Sequence, residues 1–147
     1  MPVDVRTEIT IARPRAQVAD YACDPDNATA WYRNIESVEW RSPRPLSVGT
    51  RLGFVARFLG RPLDYTYEVR ELAAGERLVM RTDEGPFPME TTYTFADAPG
   101  GATHMTLRNR GEPSGFARVG SRLMARAIRR ANEADLRRLK AILERPA

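Results

Sequence analysis

The sequence predicts an α+β domain in which an antiparallel sheet carries one long helix against its apolar face. Two patterns predict it. From Ile35 to Asn109, apolar residues alternate in short runs broken by Gly, Pro and Asp turn signals, the period-two mark of half-buried strands. From Ser114 to Glu144 the period changes to 3.6, with no proline in the run. Loops of a few residues between successive strands imply antiparallel neighbours. A sheet with one apolar face needs a cover, and the helix stripe supplies it. The 147 residues suit a single domain, 1–147, able to bury a real core.

Val3 to Ile11 opens the chain with strict alternation, Val3, Val5, Thr7, Ile9 and Ile11 sharing one face. Pro14 stops that strand and opens a short helix with Val18, Tyr21 and Ala22 on its apolar edge. Asp24-Pro25-Asp26-Asn27 is turn chemistry, and a second short helix carries Ala28, Trp31 and Tyr32. Strands follow over Ile35–Arg41 and Thr50–Phe58. Gly60-Arg61 reads as a two-residue hairpin turn with glycine leading. Further strands run over Leu63–Val69, Leu78–Thr82, Met89–Phe95 and Thr103–Asn109. The last helix, with Pro113 and Ser114 at its start, would span roughly 45 Å. Its apolar face holds Phe116, Gly120, Leu123, Met124, Ala127, Ile128, Ala131, Leu139 and Ile142. Arg118, Arg122, Arg126, Arg129, Glu133, Arg137 and Lys140 take the other side.

Cys23 is the single cysteine and His104 the single histidine. No intramolecular disulfide can form, and zinc or haem sites of the usual ligand types are not expected; no metal or cofactor is predicted. Asp24 and Asp26 beside Cys23 would raise its thiol pKa, so an unreactive structural thiol is expected. No apolar run reaches the 18 residues of a membrane span, and the first residues lack a signal-peptide pattern. A cytoplasmic setting is the expectation. The net charge of +4 is carried almost wholly by arginine, since Lys140 is the one lysine. Arginines spread along the chain among 19 acids read as a solvated surface. No aromatic residues interleave with those of the last helix, so no specific nucleic-acid partner is expected. A monomer or homodimer is.

Several local motifs then carry a resemblance. They are Ile11-Ala-Arg-Pro14 leading into Val18-Ala-Asp-Tyr21, Asp24-Pro-Asp-Asn27 followed by Trp31, and Val38-Glu-Trp40 followed by Val48-Gly-Thr50. Tyr67-Glu-Val69, Gly85-Pro-Phe87 and the arginine-studded final helix complete the set. The chain resembles the START-like (SRPBCC) superfamily, in its bacterial polyketide cyclase/dehydrase-like branch. The resemblance spans nearly the whole chain. It implies a helix-grip fold: a seven-stranded curved antiparallel sheet wrapped around a long C-terminal helix, with two short helices between strands 1 and 2. It also implies a cavity between sheet and helix, and no single reaction.

A curved sheet cannot touch a straight helix along its full length, so a gap is expected where facing side chains are small. Parity lines that gap with Phe54 and Phe58, Tyr65 and Tyr67, Met80, Met89 and Tyr93, and with Met105 and Leu107. Thr91 and Asn109 also point inward. Gly120, Leu123, Met124 and Ala127 form the roof, and Phe87 the rim. Such walls suit a small hydrophobic ligand, aromatic, polyketide-like or lipid. The same residues can equally pack as solid core. Asp64, Glu68, Glu90, His104 and Arg108 fall on the outward parity, which leaves no inward acid or base. A cyclase or dehydratase-type enzyme is therefore an alternative without an identified catalytic residue. A regulatory interaction domain using the arginine row is the other alternative.

Overall fold

Strand β1 spans Val3–Ile11 and its burial alternates almost residue by residue. Helix α1 (Arg15–Ala22) and the one-turn helix α2 (Ala28–Trp31) follow, joined by a 3-10 turn at Pro25–Asn27. Then come β2 (Ile35–Trp40), β3 (Arg51–Phe58), β4 (Arg61–Ala73), β5 (Arg77–Glu84), β6 (Met89–Ala98) and β7 (Ala102–Gly111). Helix α3 (Ser121–Leu143) ends the order. This computed structural model describes residues 3–58, 60–84, 88–112 and 120–146.

The seven strands form one sheet in the order β1-β7-β6-β5-β4-β3-β2, antiparallel throughout. The helix-grip α+β architecture is thus present. Phe58 pairs with Arg61, so Arg61 already belongs to β4 and is not a turn residue. Gly60 takes φ +76°, a conformation glycine adopts without a Cβ clash. Register shifts insert one extra residue in β2, one in β4 and one in β5, and such bulges bend a strand. The sheet curls accordingly.

Its convex face is laced with ion pairs across neighbouring strands. Arg81 and Arg110 both grip Glu90, at 2.7 and 2.6 Å, and Arg108 clasps Asp4 with two nitrogens. His104 Nε2 stands 3.4 Å from Glu8. Residues that parity assigns outward thus find their partners on the outside.

Helix α3 departs from the sequence reading in two ways. Gly120 is not part of the helix but its N-cap, in extended conformation (ψ 150°) and exposed. Glycine is a poor helix interior residue, costing about 1 kcal/mol against alanine, and is tolerated at a cap. The expected first turns, with Phe116 and Arg118, lie outside the described residues. The buried line is also rotated. It runs through Met124, Ile128, Asn132, Asp135, Leu136, Leu139 and Leu143, while Leu123 is 60% exposed. Two polar residues sit in the middle of that line and three leucines follow them.

Contacts from both ends of the chain hold the helix in place. α3 lies along β1 and touches α2. Near its C-terminus, Lys140 Nζ donates to the Thr10 carbonyl at 2.7 Å, and the Ala12 N–H donates to Glu144 Oε2 at 2.7 Å. Two residues before Lys140, Arg138 Nη1 donates to the Trp31 carbonyl at 3.0 Å, closing the C-terminus of α2. Apolar side chains gather in two groups. The larger surrounds Trp31, Leu78, Phe95, Leu136 and Leu139; the smaller holds Val5, Leu63, Tyr65, Met124 and Ile128. Tyr67 packs against both. Among the described residues no helix is long and apolar enough to cross a membrane.

Candidate functional site

Because α3 rests on β1 at one edge and on α2, the central strands stand off from it. A cavity of about 170 Å³ lies between them. An apolar cavity of about 150 Å³ already accepts a benzene ring. Its floor is Phe54, Tyr65, Tyr67, Met80 and Tyr93 from the sheet, with Met89 and Asn109 further along. Its roof is Met124, Ile128, Ala131, Asn132 and Asp135.

The other residues expected there lie elsewhere. Met105 and Leu107 are fully buried in the core and do not reach the cavity wall. Ala127 is half-buried on the flank of α3 and off the wall. Gly120 and Leu123 are exposed on the far side of the roof, a correction that follows from the rotation of the helix. Phe87, and the side chain of Phe58, lie outside the described residues.

Sequence reasoning missed the acid. Asp135 is 3% exposed, lines the cavity, and refutes the expectation that no carboxyl faces inward. The Arg33 backbone N–H donates to its Oδ1 at 3.1 Å, and Arg138 Nη1 stands 3.5 Å from the same oxygen. Burial pushes the carboxyl up to about 6, outweighing the lowering by the Arg33 N–H and the Arg138 charge. Spacing held a signal for it: Ile128, Asn132, Asp135, Leu136 and Leu139 follow steps of three and four, which place all five on one face.

A polar chain crosses the cavity beside it. Asn132 Nδ2 donates to Asn109 Oδ1 at 2.6 Å, and Asn109 Nδ2 donates to Thr91 Oγ1 at 2.9 Å. Tyr32, from the end of α2, shares a 2.5 Å hydrogen bond with the Tyr93 hydroxyl. Burial raises both phenols, so they stay neutral at physiological pH. The rings of Tyr32 and Tyr93 pack around Trp31, with centroids 4.1 and 5.7 Å away.

Cys23 borders the cavity at its α1 end. Its thiol is pushed up to about 12, by burial first and by Asp20 second, not by Asp24 and Asp26. A thiol so held carries almost no thiolate at neutral pH. Native protein is therefore expected to react with a maleimide at pH 7 far more slowly than protein in urea. Equal rates in the two states would contradict a suppressed thiol.

Comparison with known proteins bears on this architecture. A family model described as polyketide cyclase / dehydrase and lipid transport matches residues 2–144. The chain belongs to this family. Similar solved structures include a START superfamily protein from Mycobacterium smegmatis, 13% identical, with a TM-score of 0.81 over 96% of this chain and 97% of that one. The Zhui aromatase/cyclase from Streptomyces sp. R1128 is 15% identical, with a TM-score of 0.81 over 99% and 95%. A protein of Thermus thermophilus is 22% identical, with a TM-score of 0.74 over 95% and 98%. At these identities the likeness is one of fold. No curated protein matches the chain by sequence. Membership of the polyketide cyclase / dehydrase and lipid transport family, with this fold, suggests binding of a hydrophobic ligand.

Proposed function

We propose that this family member binds a small, largely apolar, ring-bearing molecule in the cavity between the sheet and α3. The supporting observation is the wall itself: aromatic and methionine side chains, with a few polar groups from Thr91, Asn109, Asn132 and Asp135 set among them. That mixture is the usual lining of a small-molecule site. A ligand that binds only the folded state raises stability by RT ln(1 + [L]/Kd), about 2.7 kcal/mol at a hundredfold excess over Kd. Bicyclic aromatics should raise Tm in proportion. Ala131→Phe, which fills the roof, should remove the shift while leaving the fold. An unchanged shift in that variant would place the binding elsewhere.

A second reading, catalysis of the cyclase or dehydratase type, is favoured by Asp135. A carboxyl titrating at about 6 is available in both protonation states near neutral pH, as a general acid or base requires. The solved aromatase/cyclase of the same fold makes that chemistry a fair comparison. Turnover that follows one ionisation near pH 6 and is lost in Asp135→Asn would support it. Turnover unaffected by that substitution would remove it.

A further inference from the structure

Resting on the cavity reading, we propose that this cavity selects ligands carrying a hydrogen-bond donor, a hydroxyl or an N–H, which seats against the Asn132–Asp135 edge of α3. The argument is an accounting of lone pairs. Asp135 Oδ1 already takes the Arg33 N–H and faces Arg138. Among the described residues, none donates to Oδ2. Asn132 gives its amide nitrogen to Asn109, whose own nitrogen is given to Thr91. The direction of that chain turns the Asn132 carbonyl oxygen into a second acceptor without a described donor. Residues three apart on a helix are neighbours, so the two acceptors lie about 5–6 Å apart at their Cβ atoms on one face. Both border the cavity. A ligand that brings a donor can bond these acceptors, and a bond to an ionised carboxylate is the stronger kind.

The edge is also electrically lopsided. The groups that face Asp135 are Arg138 on its own helix, Arg33 after α2, Tyr32 at the end of α2 and Tyr93 on β6. Both tyrosines stay neutral because burial raises them, and guanidinium groups stay charged in proteins. Asp135 is thus the group in this set that titrates between pH 5 and 8. Ionised, it can only accept. Protonated, it can donate. Donor ligands should therefore bind more tightly as pH rises through about 6, and ligands that only accept should not.

The probes are naphthalene, 2-naphthol, 2-methoxynaphthalene, 2-acetonaphthone and 2-naphthylmethylamine, titrated into the intact chain at pH 5 and pH 7.5. A hydrogen bond to a charged group is worth roughly ten- to a hundredfold in affinity. At pH 7.5 at least one donor probe, naphthol or amine, should exceed naphthalene and the methoxy compound by about that factor. The tighter of the two identifies hydroxyl or ammonium as the donor. Its advantage should shrink at pH 5, with no such loss for acetonaphthone. In Asp135→Asn the advantage and its pH slope should disappear while naphthalene binds as before. The wild-type ligand series and pH slope decide the matter even if that variant fails to fold. Equal affinities across the series, with binding still blocked by Ala131→Phe, would overturn donor selection and leave the cavity reading standing. No binding by any probe would overturn both.

Discussion

Leu139→Ala should lower the free energy of unfolding by about 2–5 kcal/mol, measured by urea denaturation. Leu139 is fully buried, between α3 and the larger apolar group. Truncation removes its transfer energy and leaves a void that the sheet cannot close, because β1 and α2 already brace the helix. Leu123→Ala is the matched control. That side chain is 60% exposed, and its loss should cost about 0.5 kcal/mol or less. Equal losses in the two variants would mean that α3 presents a different face to the sheet.

Asp135→Asn should stabilise the protein at pH 7, by up to about 3 kcal/mol. The ordinary carboxyl value is 3.8, and the folded protein raises it to about 6. A group raised in this way favours folding while protonated. Below 3.8 both folded and unfolded states hold the proton, and there is no penalty. As pH climbs to about 6 the unfolded chain releases its proton first, and stability falls until the folded carboxyl also ionises. Asparagine keeps the acceptor for the Arg33 N–H without the buried charge. The difference between variant and parent should therefore vanish near pH 3.5 and reach its full size above pH 6. Comparing the two proteins cancels the acid-side loss from Asp4 and Glu90, whose carboxyls are held low by Arg108 and Arg110. A variant less stable than its parent at pH 7 would show that the Arg138 contact outweighs the burial cost. A residue that weakens the fold at working pH is one retained for another reason, as binding and catalytic groups are.

The strands were legible because each alternates against a solvent-facing row of charges, and β1 kept its predicted ends to the residue. The short helices were legible from Pro14 and the Asp24–Asn27 turn. The orientation of α3 was not. Hydropathy treats Asn132 and Asp135 as outward residues, and discounting them rotates the stripe toward Leu123 and Ala127. What makes their burial tolerable is supplied from far away in sequence, by Asn109 and by the Arg33 backbone. No local pattern carries that information. Tyr32 was hidden for a related reason: a single helical turn has no period to read, and its side chain is placed by Tyr93 from β6. The β3–β4 turn was off by one residue without harm, since alternation within each strand, not the turn, decides which face a side chain takes.

The position of β1 at the end of the sheet bears on how the molecule is made. β1 pairs with β7, Val3 opposite Gly111, and with no other strand. The β6–β7 hairpin closes between Ala98 and Ala102, within a few residues. Joining β1 to β7 closes a loop on the order of a hundred residues, with an entropy cost that grows as the logarithm of its length. Contacts of such long range are the ones that slow folding. The earliest of these seven strands must thus wait for the latest, and α3, which leans on β1, must wait with it. The central hairpins can assemble a floor on their own, but there is no enclosed space above it until the two ends of the chain have met.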